Sequence, residues 1–362
     1  MRSVGGAGPY LGLHARTGAS RAEIDAAVAV LAIHELPSAR GCTYVLPAAD
    51  FALGLSVGQG FGDDAQIATA KKHLGVTDAE VERLREAVLP AVEAGPLDPR
   101  ALKDRVGDAV RSLGPDGKKR GLTTTLPLAL GWLQSHGELR RVPLDGRLDR
   151  QRYAYARWRP NPLGAGEADA TAQIELARRF FAWAGPATLP HFVAFSGFGV
   201  KEAKAAVAPL ALVDVGGGAL LLPEDVAAFS AYTPPSAPRY AFLANLDGLL
   251  LHRRELAPLF DPADGARTIW TERGEKAGSA LNDLDHQAIV DRGRIVGLWD
   301  WDGLRGELVW HSFAPADAAL REEAARMEAW IRENLGDVRS FSLDSPESRQ
   351  PRLEALRRSA RG

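Results

Sequence analysis

Ten basic residues fall between Lys118 and Arg159: Lys118, Lys119, Arg120, Arg140, Arg141, Arg147, Arg150, Arg152, Arg157 and Arg159. Only Glu138, Asp145 and Asp149 oppose them, so these 42 residues carry a net charge of +7. The 362-residue chain as a whole carries −2, with 44 basic against 46 acidic residues, which leaves −9 for the remainder. Cations gathered on one stretch of an otherwise acidic chain suit a polyanion, because each neutralised phosphate releases condensed counterions. Lys118-Lys119-Arg120 stand just ahead of Thr123-Thr124-Thr125, which cap a predicted helix. Free amides, hydroxyls and the helix dipole favour an anion at such a place. Tyr153 and Tyr155 interleave with the arginines and can stack or pack. Two blander arrangements fit the same residues: a solvated hairpin paired with the acidic remainder, and an ordinary cap flanked by solvated lysines.

Other candidate chemistry is thinner. Gly58-Gln59-Gly60-Phe61-Gly62 lacks the preceding buried strand and the following acid of a dinucleotide loop, and reads as a plain loop. Phe195-Ser196-Gly197 is no nucleophile elbow, since Ala194 holds the first glycine position. The eight histidines are scattered. Asp283, Asp285 and His286, like Asp300 and Asp302, read as turn caps rather than ligands, so neither a metal nor a cofactor is expected. The single cysteine, Cys42, excludes an intramolecular disulfide and points to a reducing, cytoplasmic setting. No run of about 20 apolar residues exists to span a membrane, and Met1–Gly6 is too poor in apolar residues for a signal peptide.

The elements that must position the basic stretch follow from capping and periodicity. Ser20 with Glu23 forms a capping box for a helix over 20–33, Thr77 opens one over 78–94, and Asp98-Pro99 opens another towards Val110. Gly114-Pro115-Asp116-Gly117 is a predicted turn before a helix ending near His136. Strands at 138–144 and 150–158 then make a hairpin, and helix, turn, helix, hairpin is the order of a winged helix-turn-helix module. The order recurs loosely at 168–223, where the hairpin from Val213 to Leu222 has one acid and no base and suits a scaffold. Beyond a proline-rich linker at 233–238, apolar runs at 240–251, 287–301 and 307–313 precede a closing helix over 316–334. The predicted class is α+β and helix-rich, with tandem winged helix-turn-helix modules and a C-terminal β-rich unit. The predicted boundaries are 1–97, 98–162, 168–230, 238–336, and a mostly exposed tail at 337–362.

Five segments, in order over nearly the whole length, carry a family resemblance. They are Pro9-Tyr10-Leu11-Gly12-Leu13-His14-Ala15-Arg16, Arg40-Gly41-Cys42-Thr43-Tyr44-Val45-Leu46-Pro47-Ala48-Ala49-Asp50, Phe181–Thr188, Phe242–Gly248 and Ile289–Trp299. Together they resemble the winged-helix DNA-binding domain family that includes the AlkZ and YcaQ DNA glycosylases, with Tyr44 where that family usually has histidine. The resemblance implies tandem winged-helix modules with a C-terminal β-barrel-like unit, and excision of alkylated or crosslinked purines by hydrolysis of the N-glycosidic bond. In the family, a Gln-x-Gln or Gln-x-Asp motif just before the first of these segments positions water and steadies an oxocarbenium-like sugar. That place reads Arg2-Ser3-Val4-Gly5-Gly6-Ala7-Gly8 here, with neither glutamine nor carboxylate; the first acid is Glu23 and the first glutamine Gln59. Either another acid serves, or the protein binds DNA without cutting that bond, or the start lies upstream.

The predicted grip on double-stranded DNA is Lys118, Lys119, Arg120, Thr123, Thr124, Arg140, Arg141, Arg147, Arg150 and Arg152, with Arg40 and Tyr44 as a secondary contact. Phosphate contacts dominate such a grip, so little sequence preference and a steep salt dependence are expected of a monomer acting on alkylated or crosslinked duplex. The alternatives are a non-catalytic winged-helix DNA-binding protein, serving as damage sensor or regulator, and a protein-interaction scaffold.

Overall fold

The computed structural model describes residues 1–164 and 170–360. The first two residues of the module expected at 168–230 and the last two of the tail lie outside the described residues.

The chain begins with α1 (Gly8–Thr17) and α2 (Arg21–Ala29), then the hairpin β1 (Ile33–Pro37) and β2 (Thr43–Pro47). The Ser20 hydroxyl accepts from the Glu23 amide and the Glu23 carboxylate accepts from the Ser20 amide, the reciprocal cap expected from the sequence. Next come α3 (Phe51–Gly58), α4 (Gly62–Leu74) and α5 (Asp78–Ala91), the last capped by the Thr77 hydroxyl. Then follow α6 (Pro99–Val106), capped by Asp98, α7 (Gly114–Lys119), α8 (Leu126–Ser135) and the hairpin β3 (Leu139–Pro143) with β4 (Tyr153–Arg157). Gly114–Gly117, expected as a turn, opens α7 instead, because Pro115 sits in the first helical turn, where its missing amide costs nothing. The third group is α9 (Ala170–Ala184), α10 (Leu189–Ser196), α11 (Val200–Val207), the short strands β5 (Val213–Asp214) and β6 (Leu220–Leu221), and α12 (Val226–Ala231). Helices followed by a two-stranded hairpin therefore occur three times.

The C-terminal unit comprises β7 (Tyr240–Leu243), α13 (Gly248–Leu251), α14 (Pro262–Gly265), β8 (Thr268–Ile269), β9 (Lys276–Ala277), β10 (Gln287–Asp291), β11 (Arg294–Asp302), β12 (Glu307–Ser312), α15 (Ala318–Asn334) and α16 (Gln350–Ser359). The strand expected over 240–251 stops at Leu243, because Asp247 caps α13. An antiparallel sheet runs β12-β11-β10-β7. Its outer strands do not pair with each other among the described residues, so the expected barrel-like unit is an open sheet. Both faces are apolar, as the period-2 alternation of side chains allows. Phe242, Ile289, Trp299 and Trp301 join one core with α1, α2 and α15. Leu243, Val290, Leu298 and Val309 join another with Leu353 and Leu356 of α16. The tail expected to be mostly exposed is thus the cover of the second face. Two of its arginines are drawn inward: Arg349 is 1% exposed and pairs with Asp337, and Arg352 lies 3.0 Å from Asp300.

The helices before residue 97 contribute to several cores. α1 and α2 pack with the C-terminal sheet, α3 lies against α9 and β1, and α4 and α5 pack on α8. This sharing draws the N-terminal segment, the first two hairpins and the C-terminal unit together around residues 1–8.

Candidate functional site

Residues 1–3 run along β2 like an additional strand. The Val45 amide donates to the Met1 carbonyl at 2.7 Å and the Ser3 amide to the Thr43 carbonyl at 2.9 Å. The glycines after them are explained by close approach. A Cβ on Gly6 would lie 2.4 Å from the carbonyl oxygens of Arg339 and Ser340, where the Ala7 amide also bonds the Arg339 carbonyl. The glycine-rich stretch is therefore a seam between the N-terminus and the segment after α15.

Beside this seam lies a polar cleft of about 280 Å³, lined by Arg2, Ser3, Glu35, Arg141, Gln151 and Tyr153 among others. Glu35, on β1, is 5% exposed. Its Oε1 accepts a short hydrogen bond from the Ser3 hydroxyl. Its Oε2 has no hydrogen-bond partner among the described residues, and the nearest guanidinium, that of Arg141 on β3, is 3.8 Å away. Arg141 also lies over the ring of Tyr153. Burial first, and the charge of Glu35 second, push the Tyr153 phenol well above its ordinary value, which keeps it protonated. Gln151 donates to the Val4 carbonyl at 3.2 Å from a left-handed backbone, φ 51°, that a non-glycine residue seldom adopts. The sequence reading passed over Glu35 and Gln151. The available signal was a charged residue inside the short strand Ile33-His34-Glu35-Leu36-Pro37, where a carboxylate is out of place unless it is used.

Further along β2 is a larger, mainly apolar cavity of about 650 Å³. Four of the five segments singled out in the sequence meet there, through Leu13 and Arg16, Tyr44 to Asp50, Trp183 and Ala184, and Gly248. Arg16 forms a bidentate pair with the buried Asp247 at 2.7 and 2.8 Å, tying the first of those segments to the fourth. Burial holds the His252 imidazole down at about 4, so it is neutral at physiological pH. Burial likewise pushes the Tyr44 phenol up to about 12.

The predicted grip residues divide into two sets. Arg147 is 11% exposed and clamps Asp149 through two bonds of 2.9 and 2.6 Å while also donating to the Leu335 carbonyl. Leu148 beside it donates from its amide to the Tyr10 hydroxyl, so the β3–β4 loop is fastened to α1 and to the end of α15. Arg40 donates to the Ala194 carbonyl and holds the first hairpin to α10. Arg141 faces the cleft, and Tyr44 lines the apolar cavity. The remaining cations make no short bond to a carboxylate, and all but the half-buried Arg140 are exposed. Arg150 is 52% exposed with its nearest carboxylate, Asp145, 3.8 Å away, and Arg152 is exposed. Arg140 and Arg141 are neighbours on a strand and so project to opposite faces of the ribbon. Lys118, Lys119 and Arg120 are exposed at the end of α7, where Lys119 faces Asp116 at 3.6 Å. Thr123 is exposed and Thr124 half-buried just before α8.

A family profile described as DNA glycosylase AlkZ-like matches residues 5–330. Among solved structures, the DNA glycosylase AlkZ of Streptomyces sahachiroi is similar with a TM-score of 0.64 at 18% identity, over 93% of this chain and 89% of that one. At such identity the likeness is one of fold. No curated protein sequence matches the chain.

Proposed function

The chain belongs to the AlkZ-like DNA glycosylase family, and from that premise we propose that it is a DNA-repair enzyme that binds duplex DNA and hydrolyses the N-glycosidic bond of alkylated or crosslinked purines. The observation that carries the reading is the family profile, which spans residues 5–330 and so takes in the polar cleft and the basic hairpin together. The three helices-then-hairpin groups serve as winged-helix modules. The second module faces the phosphates with Arg140, Arg150 and Arg152 on its hairpin and with Lys118, Lys119, Arg120, Thr123 and Thr124 ahead of α8. Arg147 and Arg40 brace the elements that carry this surface, Arg141 belongs to the cleft, and Tyr44 to the wall of the apolar cavity.

A purine alkylated at N7 is a cationic leaving group and departs neutral once the bond to C1′ breaks. The protein's task is then to place a water and to favour positive charge growing on the sugar, which is electrostatic work for a polar cleft. The test is incubation with duplexes containing 7-methylguanine or a nitrogen-mustard crosslink between guanines, followed by assays for free base and abasic sites. Base release with matching abasic sites is expected. Tight binding with no release would make the protein a non-catalytic damage sensor or regulator, and absence of binding would refute both.

A further inference from the structure

We propose that Glu35 is the general base of the excision reaction, with Gln151 as a positioning residue that holds the N-terminal segment against it; this rests on the glycosylase reading above. Residues 2–8 contain no acid, yet the fold brings one to them, because the Ser3 hydroxyl bonds the Glu35 carboxylate directly. Glu35 is buried, one of its oxygens lacks a hydrogen bond, and its guanidinium neighbour is too distant for a close pair. A carboxylate taken out of water and left half-partnered is a net loss for folding, and such groups concentrate where chemistry uses them.

Cations and a phenol surround the carboxylate. The charged and titratable groups facing it are Arg2 on the N-terminal segment, Arg141 on β3 and Tyr153 on β4. The cleft's 280 Å³ is several times the roughly 30 Å³ that one water occupies. In the reaction, Oε2 takes a proton from a water whose oxygen bonds to C1′. The C1′–N9 electron pair leaves with the N7-alkylated purine, which departs uncharged. The proton on Glu35 returns to solvent, so charge and atoms balance with no further reactant. Gln151, through its bond to the Val4 carbonyl, keeps residues 2–5 packed along the cleft.

The experiment is single-turnover base release from a 7-methylguanine duplex by the wild-type protein, Glu35→Gln, Glu35→Asp and Ser3→Ala, with duplex affinity measured by fluorescence anisotropy in the same buffer. For Glu35→Gln the rate should fall at least about 100-fold with affinity within twofold, the range expected for losing a general base. The acid limb of the wild-type pH–rate profile should vanish in Glu35→Gln and persist in Glu35→Asp at a reduced rate. Ser3→Ala, which keeps the carboxylate and removes the hydroxyl that donates to its Oε1, should slow release about tenfold, and it covers the case in which Glu35→Gln fails to fold. A wild-type enzyme that releases base while Glu35→Gln and Ser3→Ala release it within threefold of the same rate overturns the assignment and leaves the glycosylase reading standing. A wild-type protein that binds the duplex but releases no base overturns the glycosylase reading, and the assignment with it.

Discussion

The sharpest consequence of the structure is that Arg147 and the Arg150/Arg152 pair, three and five residues further on, have opposite functions. Taking Lys118, Arg120, Arg140, Arg150 and Arg152 as the cations without a close carboxylate gives five phosphate contacts, hence a slope of log affinity on log salt of about −4.5. Affinity should then fall about 500-fold between 50 and 200 mM salt. Arg150→Ala/Arg152→Ala removes two contacts, which reduces the slope to about −2.7 and the fall to about 40-fold. Stability should change by less than about 0.5 kcal/mol, because both side chains are solvated. Arg147→Ala does the reverse: it strands the buried Asp149 carboxylate and frees the Leu335 carbonyl, at about 3 kcal/mol. Its melting temperature should drop by several degrees while the salt slope stays within about 0.5 of wild type. Anisotropy titrations at four salt concentrations, with thermal melts of the same samples, measure both quantities. If Arg147→Ala melts like wild type and loses slope, Arg147 is a phosphate contact and the bracing function drawn from its bonds is wrong.

Three further outcomes are expected. Burial holds His34 at about 3 and His252 at about 4, against 6.5 in the unfolded chain, so the unfolded state binds more protons below pH 6.5. Stability should therefore fall on acidification from 6.5 towards 4, by about 1.4 kcal/mol per pH unit for each buried histidine. Urea midpoints against pH should fall less steeply in His34→Phe, and an equal slope would count against a neutral buried His34. Gly6→Ala drives a Cβ into the Arg339 and Ser340 carbonyls and should destabilise by about 1–3 kcal/mol, read from a urea melt; an unchanged melt would mean that the seam yields. Asp247→Asn keeps the oxygen that caps α13 but discharges the partner of Arg16, and should lower stability by about 1–3 kcal/mol with the salt slope of duplex binding unaffected.

Much of the local structure was legible because its causes are local. The Ser20–Glu23 box, the Thr77 and Asp98 caps and the hairpin after α8 each depend on residues within a few positions of one another. What escaped depends on distant partners. Arg147 reads as a free cation until the Leu335 carbonyl, 188 positions away, reaches it. Residues 2–8 read as featureless until Arg339 and Ser340 press against Gly6. The tail reads as charged and exposed because six arginines outweigh Leu353 and Leu356, and only the second apolar face of the sheet makes burying those leucines worthwhile. The barrel-like unit is what the family resemblance implies, and runs of alternating apolar residues do not separate it from an open sheet covered on both faces.

Glu35 and the Arg147–Asp149 pair show how to separate charges kept for structure from those kept for chemistry. In the pair, each ion has short bonds to the other, and Arg147 donates besides to the Leu335 carbonyl, so removing either side alone is destabilising. Glu35 has a single good bond and a long contact. Neutralising it removes more desolvation penalty than attraction, so Glu35→Gln should melt at the wild-type temperature or slightly above it. A carboxylate whose removal stabilises the fold while abolishing base release is the signature of a residue retained for function at the expense of stability. A Glu35→Gln protein that instead melts several degrees lower, with release unchanged, would place Glu35 beside Arg147 as a brace and leave the cleft without its base.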